Sequence, residues 1–466
     1  MSEVAVVAGL IERARVAQAI AETYDQEQVD RVCAAAAWAI MEPSRNRALA
    51  ELAVRDTGLG NVTDKTQKNH RKTLGLMRDL HGAKSVGVIS ENKATGITEI
   101  ARAAGVVGAI TPSTNPGATP ANMIINAMKG RNAIILAPSP KGASSAELLL
   151  TYVYAEFDRI GAPHDLAQVL PSPVSKALTY ELLQQVDLIV ATGSQANIRA
   201  AYSSGKPAFG VGAGNVAVIV DASVDLAAAA ERIVRSKMFD NATSCSSENS
   251  VVIVDAVYDA MIAALEAQGC VLLSADEKAQ LQKVMFASGK LSSVVTAKNA
   301  SEIASIAGLA RATAARVLMV SETGTGEGFP FSGEKLSPVM TIYRAADFPT
   351  AARIVNDIYA FLGAGHSVGI HASSERADPL ALQLGLTLPV ARVIVNQAHC
   401  IATGGSFDNG LPFSLSMGCG TWGGNSFSDN LTYRNFLNIT RIAKPIPHNM
   451  PDEAALFADY FSHINR

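Results

Sequence analysis

An α/β protein built on parallel sheets, with a small β-element set apart, is the fold class the sequence predicts, and three observations carry it. From Val107 to Val220 short apolar runs alternate with stretches of helical periodicity, the pattern of parallel strands joined by crossover helices. The alternation starts again after Cys245, which predicts a second α/β unit. Two further segments, 85–103 and the stretch after Asn425, have strand character without intervening helices. A chain of 466 residues exceeds one ordinary core, so two or three domains are expected.

The first elements are helical. "MSEVAVVAGLIERARVAQAIAETY" repeats its apolar residues at helical spacing, and Glu3, Glu12, Arg13 and Arg15 interrupt any signal-peptide core, so it reads as an amphipathic helix of the fold. The helical pattern continues to about Gly82, with breaks at Pro43 and at Gly58 and Gly60. "VGVISENKATGITEIARAAGVVGAI" carries β-branched residues on either side of Asn92 to Gly96, which predicts a hairpin followed by a strand. The runs "GVVGAIT", "NAIILAP", "DLAQVLP", "VDLIVATG" and "PAFGVGAGNVAVIV" supply the strands of the first unit. "SVVIVD", "RVLMVSE", "VMTIYRA", "SVGIHA" and "RVIVN" supply the second, with a helix from Ala256. The expected divisions are 1–235, 236–430 and a terminal strand and tail over 431–466.

Composition narrows the function. Hydrophobic residues make up 48% and charged residues 17%, with a net charge of −3, so no field favours nucleic acid or an anionic membrane, and small soluble substrates fit better. No apolar run approaches the roughly 20 residues that cross a bilayer. The five cysteines, Cys33, Cys245, Cys270, Cys400 and Cys419, are widely spaced without a CxxC pair. Neither a disulfide framework nor a zinc site is indicated, and a reducing, cytoplasmic setting is expected. The histidines lack metal-ligand spacing, and no metal is expected.

Chemistry concentrates in three segments. Cys245 lies in "FDNATSCSSENS" (239–250), a lone thiol whose small polar neighbours argue against an apolar core site and let backbone amides approach whatever it attacks. Upstream, "AITPSTNPGATP" (109–120) is an apolar strand opening into Pro, Ser, Thr and Asn; downstream lies "SGEKLSPV" (332–339). In this order the three segments, within a span from about Thr111 to Asn425, resemble the aldehyde dehydrogenase superfamily, specifically its coenzyme A-acylating branch. The resemblance implies a Rossmann-type cofactor domain, an α/β catalytic domain and an oligomerisation β-element in which the 85–103 hairpin meets the C-terminal tail, in a homodimer or homotetramer.

Oxidising an aldehyde by hydride transfer first requires a tetrahedral adduct, which a thiolate forms well. The resemblance makes Cys245 that nucleophile and assigns the oxyanion to the Asn115 side chain and the Cys245 backbone N–H. Alone, Asn115 before Pro116 also reads as a turn. His366, in "GAGHSV", is implied to deprotonate the coenzyme A thiol; a structural histidine bonded to backbone is the other reading. "FGVGAGN" (209–215) lacks GxGxxG spacing and leads into a strand, so it is not a dinucleotide fingerprint. Hydrolytic relatives begin this stretch with a water-activating glutamate, where this chain has Gly210, which implies an acyl-enzyme that waits for coenzyme A. A relative that keeps the fold without catalysis is the alternative against which Cys245, Asn115 and Glu334 together argue.

The implied nicotinamide cofactor runs along Thr111, Pro112 and Ser113, past Gly212, and to Thr192, Gly193 and Ser194 before the helix "QANIRAAY", with Glu334 on its ribose. A helix N-terminus can meet a pyrophosphate, and Ser194 reads equally as an N-cap. In "LAPSPKGASS" (136–145), Pro140 stands where NAD-preferring relatives carry a ribose-binding glutamate. Ser139 and Lys141, with Ser144, are therefore expected to meet the 2′-phosphate of NADP, with NAD the alternative. "NQAHCIATGGSFDNGLPFSLSMGCGTWGGNS" and "KNHRKTLGLMRDL" narrow the resemblance to members acting on small anionic aldehydes, sulfoacetaldehyde before succinate semialdehyde. Arg71, Arg78, His399 and Thr403 are the candidates for the anion, each also readable as a surface charge or helix cap.

Overall fold

Four helices precede any strand, Glu3–Glu22, Gln26–Met41, Pro43–Thr57 and Val62–Leu80, in a computed structural model that describes residues 2–212 and 214–464. Local chemistry sets their ends. Asp25 and Gln28 close a capping box on the second helix; Pro43 takes the first position of the third, where its missing N–H is not needed; Gly58 ends that helix at φ 69°, in the left-handed region. β1 (Gly87–Asn92) and β2 (Ile97–Ala103) form the expected hairpin, with Asn92 Oδ1 accepting from the amides of Ala94 and Thr95 in the turn.

The first parallel sheet contains β3 (Val106–Thr111), β4 (Ala133–Pro138), β5 (Ala167–Val169), β6 (Leu188–Thr192) and β7 (Ala208–Val211), in the order β5-β4-β3-β6-β7. The second contains β8 (Val216–Val220), β9 (Glu248–Val254), β10 (Cys270–Leu272), β11 (Val317–Ser321), β12 (Val339–Ala345), β13 (Val368–His371) and β14 (Val393–Val395), in the order β10-β11-β12-β9-β8-β13-β14. Every residue of β3, β4, β8 and β9 is buried, as expected of parallel strands covered on both faces. β15 (Leu437–Ala443) pairs antiparallel with β2 and completes a three-stranded sheet with the hairpin.

Two expectations are corrected. The sheets part between Val211 and Val216, not at 235/236: β8 pairs with β9 and β13, and Ala229, Ala230, Ile233 and Val234 pack into the core of the second sheet. An apolar strand looks the same in sequence whichever sheet it joins. At the other end Phe413, Leu431, Tyr433 and Phe436 return to the core of the first sheet, so 236–430 is not one continuous unit. The tail also contains a helix, Glu453–Ile464, none of whose residues is buried. No helix among the described residues is long and apolar enough to cross a membrane.

Candidate active site

The first sheet winds outward in both directions from the β3–β6 pair, and the C-terminal ends of these strands, Thr111 and Thr192, open the crevice where such sheets bind ligands. Residues carried by the second sheet close its other side, leaving a cleft of about 460 Å³. Thr111, Pro112, Ser113 and Asn115 line it from the loop after β3, and Ser139 from the loop after β4. Thr192, Gly193, Ser194 and Gly212 line it from the ends of β6 and β7, and Cys245 and Glu334 face them. The structure thus brings together eleven residues singled out along 224 positions of sequence.

Cys245 is the one thiol of the five that is only partly buried. Its loop approaches the cleft through three consecutive left-handed residues, Asp240, Asn241 and Ala242, at φ 51°, 52° and 59°. Such conformations cost about 1–2 kcal/mol per residue, and side-chain ties hold them here. The buried Asp240 carboxylate accepts from Lys65 at 2.9 Å and Lys68 at 2.6 Å, and Asn241 Nδ2 donates to the Ala297 carbonyl at 3.1 Å. Lys68 also donates to Asn115 Oδ1 at 2.7 Å. An ammonium only donates, so it fixes the amide oxygen toward itself and leaves the NH₂ end for the cleft.

Facing the thiol is His366, whose Nε2 lies 3.4 Å from Cys245 Sγ. Gly214 permits the approach, since a Cβ there would lie 2.4 Å from the Cys245 carbonyl oxygen and 2.9 Å from His366 Cδ2. Arg392 grips the carbonyls of His366, Gly418 and Ser428 at 2.9–3.2 Å. Burial pushes the thiol up to about 12, with Glu334 and Cys419 adding to the effect, while burial and Arg392 push the imidazole down to about 3. At neutral pH the pair is therefore thiol and neutral imidazole. On the far side of the ring, His366 Nδ1 meets Ser367 Oγ at 2.7 Å, and Ser367 Oγ meets His399 Nε2 at 2.8 Å.

The opposite wall fits a dinucleotide. Thr111 Oγ1 and Ser139 Oγ line the cleft, buried and without a hydrogen-bond partner among the described residues. Unpaired buried hydroxyls are costly unless a ligand completes them. Ser194 caps the helix Gln195–Ser203, so its N-terminus points an N–H-rich end at the same wall. A Cβ on Gly212 would lie 2.4 Å from Gln195 Nε2, which explains the glycine without a fingerprint loop. Glu334 accepts from the Gly214 amide, and burial pushes its carboxyl up to about 8. Gly210 turns toward Ile198 and Tyr202, whose hydroxyl bonds its carbonyl and its N–H, and Glu334 is the one carboxylate among the described lining residues. Lys141 is exposed and does not line the cleft, and Ser144 gives its hydroxyl to Asp56 at 2.5 Å instead of keeping it for a phosphate.

Among the anion candidates, none lines the cleft. Arg71 donates to the carbonyls of Ile401 and Gly405, Arg78 pairs with Asp79 and stacks over Phe413, and Thr403 Oγ1 donates to the His399 carbonyl at 2.7 Å. His399 is buried and reaches the site only through Ser367. Sequence reasoning passed over Lys72 on the same helix. Its ammonium is buried, donates to the carbonyls of Gly404 and Gly405, lies 5.5 Å from the centre of the Phe413 ring and has no carboxylate partner among the described residues. Gly404 separates it from Met417, which lines the cleft. Burial holds this lysine well below the usual range. Lys68, Ser367 and Arg392 were likewise missed, because nothing local marks a lysine, serine or arginine whose partner lies far away in sequence.

Two parallel sheets meeting at a crevice, with a thiol facing an imidazole beside it, are the frame of an oxidoreductase. The chain belongs to the aldehyde dehydrogenase family, whose model matches residues 2–398. It is 64% identical over 462 residues, 99% of this chain and 93% of the relative, to sulfoacetaldehyde dehydrogenase (acylating) of Cupriavidus necator. It is 37% identical over 443 residues, 95% of this chain and 96% of the relative, to succinate-semialdehyde dehydrogenase (acetylating) of Clostridium kluyveri. Among solved structures, an acetylating aldehyde dehydrogenase from Geobacillus thermoglucosidasius superposes with a TM-score of 0.90 at 34% identity, covering 97% of this chain and 98% of the other.

Proposed function

We propose that the protein is an acylating dehydrogenase that converts sulfoacetaldehyde, coenzyme A and NADP⁺ reversibly to sulfoacetyl-CoA, NADPH and a proton. The observation that carries the reading is Cys245, backed by the buried His366, on a cleft with no carboxylate but Glu334 among its described lining residues. In this reading Cys245 Sγ adds to the aldehyde carbon while its proton passes to His366 Nε2, and Asn115 Nδ2 with the Cys245 N–H donates to the oxyanion. The cofactor, when bound, accepts the hydride. Thr111, Ser139, the helix N-terminus at Ser194 and Glu334 would hold it. His366 then releases its proton to solvent, which is the proton of the net reaction; the coenzyme A thiol attacks the Cys245 thioester as its own proton passes to His366, and the Cys245 thiolate leaves and takes that proton back.

The sulfoacetaldehyde preference rests on the 64% identical relative, and Lys72, a buried lysine behind Gly404 with no carboxylate partner among the described residues, is the candidate for its sulfonate. The NADP preference rests on exposed Lys141, which has no ion-pair partner among the described residues, after Ser139. We ascribe cofactor binding to the first sheet and chemistry to the second. The β1-β2-β15 sheet and the exposed Leu456, Phe457, Tyr460, Phe461 and Ile464 fit contacts between copies in a homodimer or homotetramer. Five free thiols fit the cytoplasm.

Omitting coenzyme A tests the central point. A single burst of NADPH, restarted by the thiol, is expected because no positioned base activates water. Steady turnover to the free acid would mark a hydrolytic enzyme instead.

A further inference from the structure

We propose that Ser367 and His399 are positioning residues that hold His366 in the tautomer whose bare Nε2 faces Cys245. The inference rests on the reading of His366 as the base for the reacting thiols, and it adds what makes that nitrogen basic.

The geometry is a continuous chain. Cys245 Sγ, His366 Nε2, His366 Nδ1, Ser367 Oγ and His399 Nε2 follow one another with contacts of 3.4, 2.7 and 2.8 Å across the three gaps. A neutral imidazole carries one N–H and a hydroxyl carries one proton, so the chain has two consistent polarities. In the first, His366 Nδ1–H donates to Ser367, whose hydroxyl donates to His399 Nε2, and His366 Nε2 is free to take a thiol proton. In the second, His399 Nε2–H donates to Ser367 and Ser367 to His366 Nδ1, which places the His366 proton against sulfur and disables the base.

Only the first polarity survives proton transfer without rearrangement. When Nε2 gains the proton from Cys245 or coenzyme A, the His366 Nδ1–H still points at Ser367 and the hydroxyl still points at His399. The second would require both the hydroxyl and His399 to reverse inside a packed interior. Ties to the backbone hold the heavy atoms of the chain in place. Tyr359 Oη donates to the Ser367 carbonyl at 2.6 Å, the His399 amide donates to Glu248 Oε1 at 3.3 Å, and Thr403 Oγ1 donates to the His399 carbonyl. Both rings are about 1% exposed. His399 Nδ1 has no partner among the described residues and lies beside Gly369, where a Cβ would come within 2.8 Å of it. In the first polarity the His399 ring proton sits on this unpaired nitrogen, a cost that the bare Nε2 gained on His366 must outweigh. Burial holds both imidazoles below their usual range, so each carries one ring proton at neutral pH, as the argument requires.

The test is single-turnover thiolysis of the acylated enzyme by coenzyme A in Ser367→Ala, Ser367→Thr, His399→Leu, His399→Gln and His366→Ala. Ser367→Ala and His399→Leu are expected to slow the step about 10- to 100-fold, part of what a general base supplies, with KM for aldehyde and cofactor unchanged. Ser367→Thr, which keeps the hydroxyl, and His399→Gln, which keeps an acceptor, are expected to recover most of the rate. If His366→Ala is slow while Ser367→Ala and His399→Leu match the parent, the positioning role falls and the base survives; if His366→Ala also matches the parent, the base itself falls. Should the alanine or leucine variants not fold, ¹⁵N spectra of histidine-labelled parent enzyme decide. A proton on His366 Nδ1 supports the proposal, and one on Nε2 overturns it.

Discussion

Lys68 holds the Asn115 side-chain oxygen at 2.7 Å while its ammonium also pairs with the Asp240 carboxylate at 2.6 Å. One buried cation therefore orients the Asn115 amide, the proposed oxyanion donor, and secures the strained turn that presents Cys245. Lys68→Met is expected to lower kcat about 100-fold, the scale set by loss of one oxyanion donor, as the amide becomes free to flip. It should also lower Tm, since Asp240 loses one of its two buried lysine partners. Steady-state kinetics beside a melting curve reads both, and a variant with parental kcat would detach Lys68 from the oxyanion.

Cys245→Ala is expected to abolish oxidation while cofactor binding persists. In the parent, alkylation of Cys245 by iodoacetamide should climb about tenfold per pH unit from 7 to beyond 10, because burial, then Glu334, lifts the thiol to about 12 and only the thiolate reacts. Removing a neighbouring negative charge favours the thiolate, so Glu334→Gln should alkylate faster than the parent above pH 8, where the Glu334 carboxyl ionises. A plateau near pH 9 in the parent would contradict the burial effect.

Lys72→Met should raise KM for sulfoacetaldehyde at least tenfold and leave KM for a neutral short aldehyde within about twofold, since a charge-assisted contact is worth roughly 1.5–3 kcal/mol. An equal effect on both substrates would make Lys72 a structural residue of the Gly404–Gly405 turn.

Lys141→Ala should narrow the preference for NADP over NAD, by losing a charge-assisted bond to the 2′-phosphate. Parallel titrations with the two cofactors measure it. Equal use of both by the unaltered enzyme removes the assignment and leaves the Ser144–Asp56 pair as the feature of that rim.

The cleft was legible where chemistry is written locally. Apolar runs ending in Thr111-Pro112-Ser113 and Thr192-Gly193-Ser194 announce strand ends that open into loops, and a thiol among hydroxyl side chains marks Cys245 as no core residue. Lys68 and Lys72 were not legible, because lysines on an amphipathic helix have the pattern of a solvated face; their partners Asp240 and Gly404 lie 172 and 332 residues away. Arg71 and Arg78 were misread for the same reason, their guanidinium groups being taken up by backbone carbonyls and Asp79.

By itself the sequence determined the α/β class, the order of the strands along the chain, the hairpin at 85–103 and the choice of Cys245 among the five thiols, because periodicity, turn chemistry and residue type are local properties. Tertiary structure alone decided that β8 joins the second sheet, that Phe413 and Phe436 return to the first, and that His366 meets Cys245 across 121 residues. It also decided protonation, since desolvation and the neighbours that shift Cys245 up and His366 down exist only after segments distant in sequence have packed together.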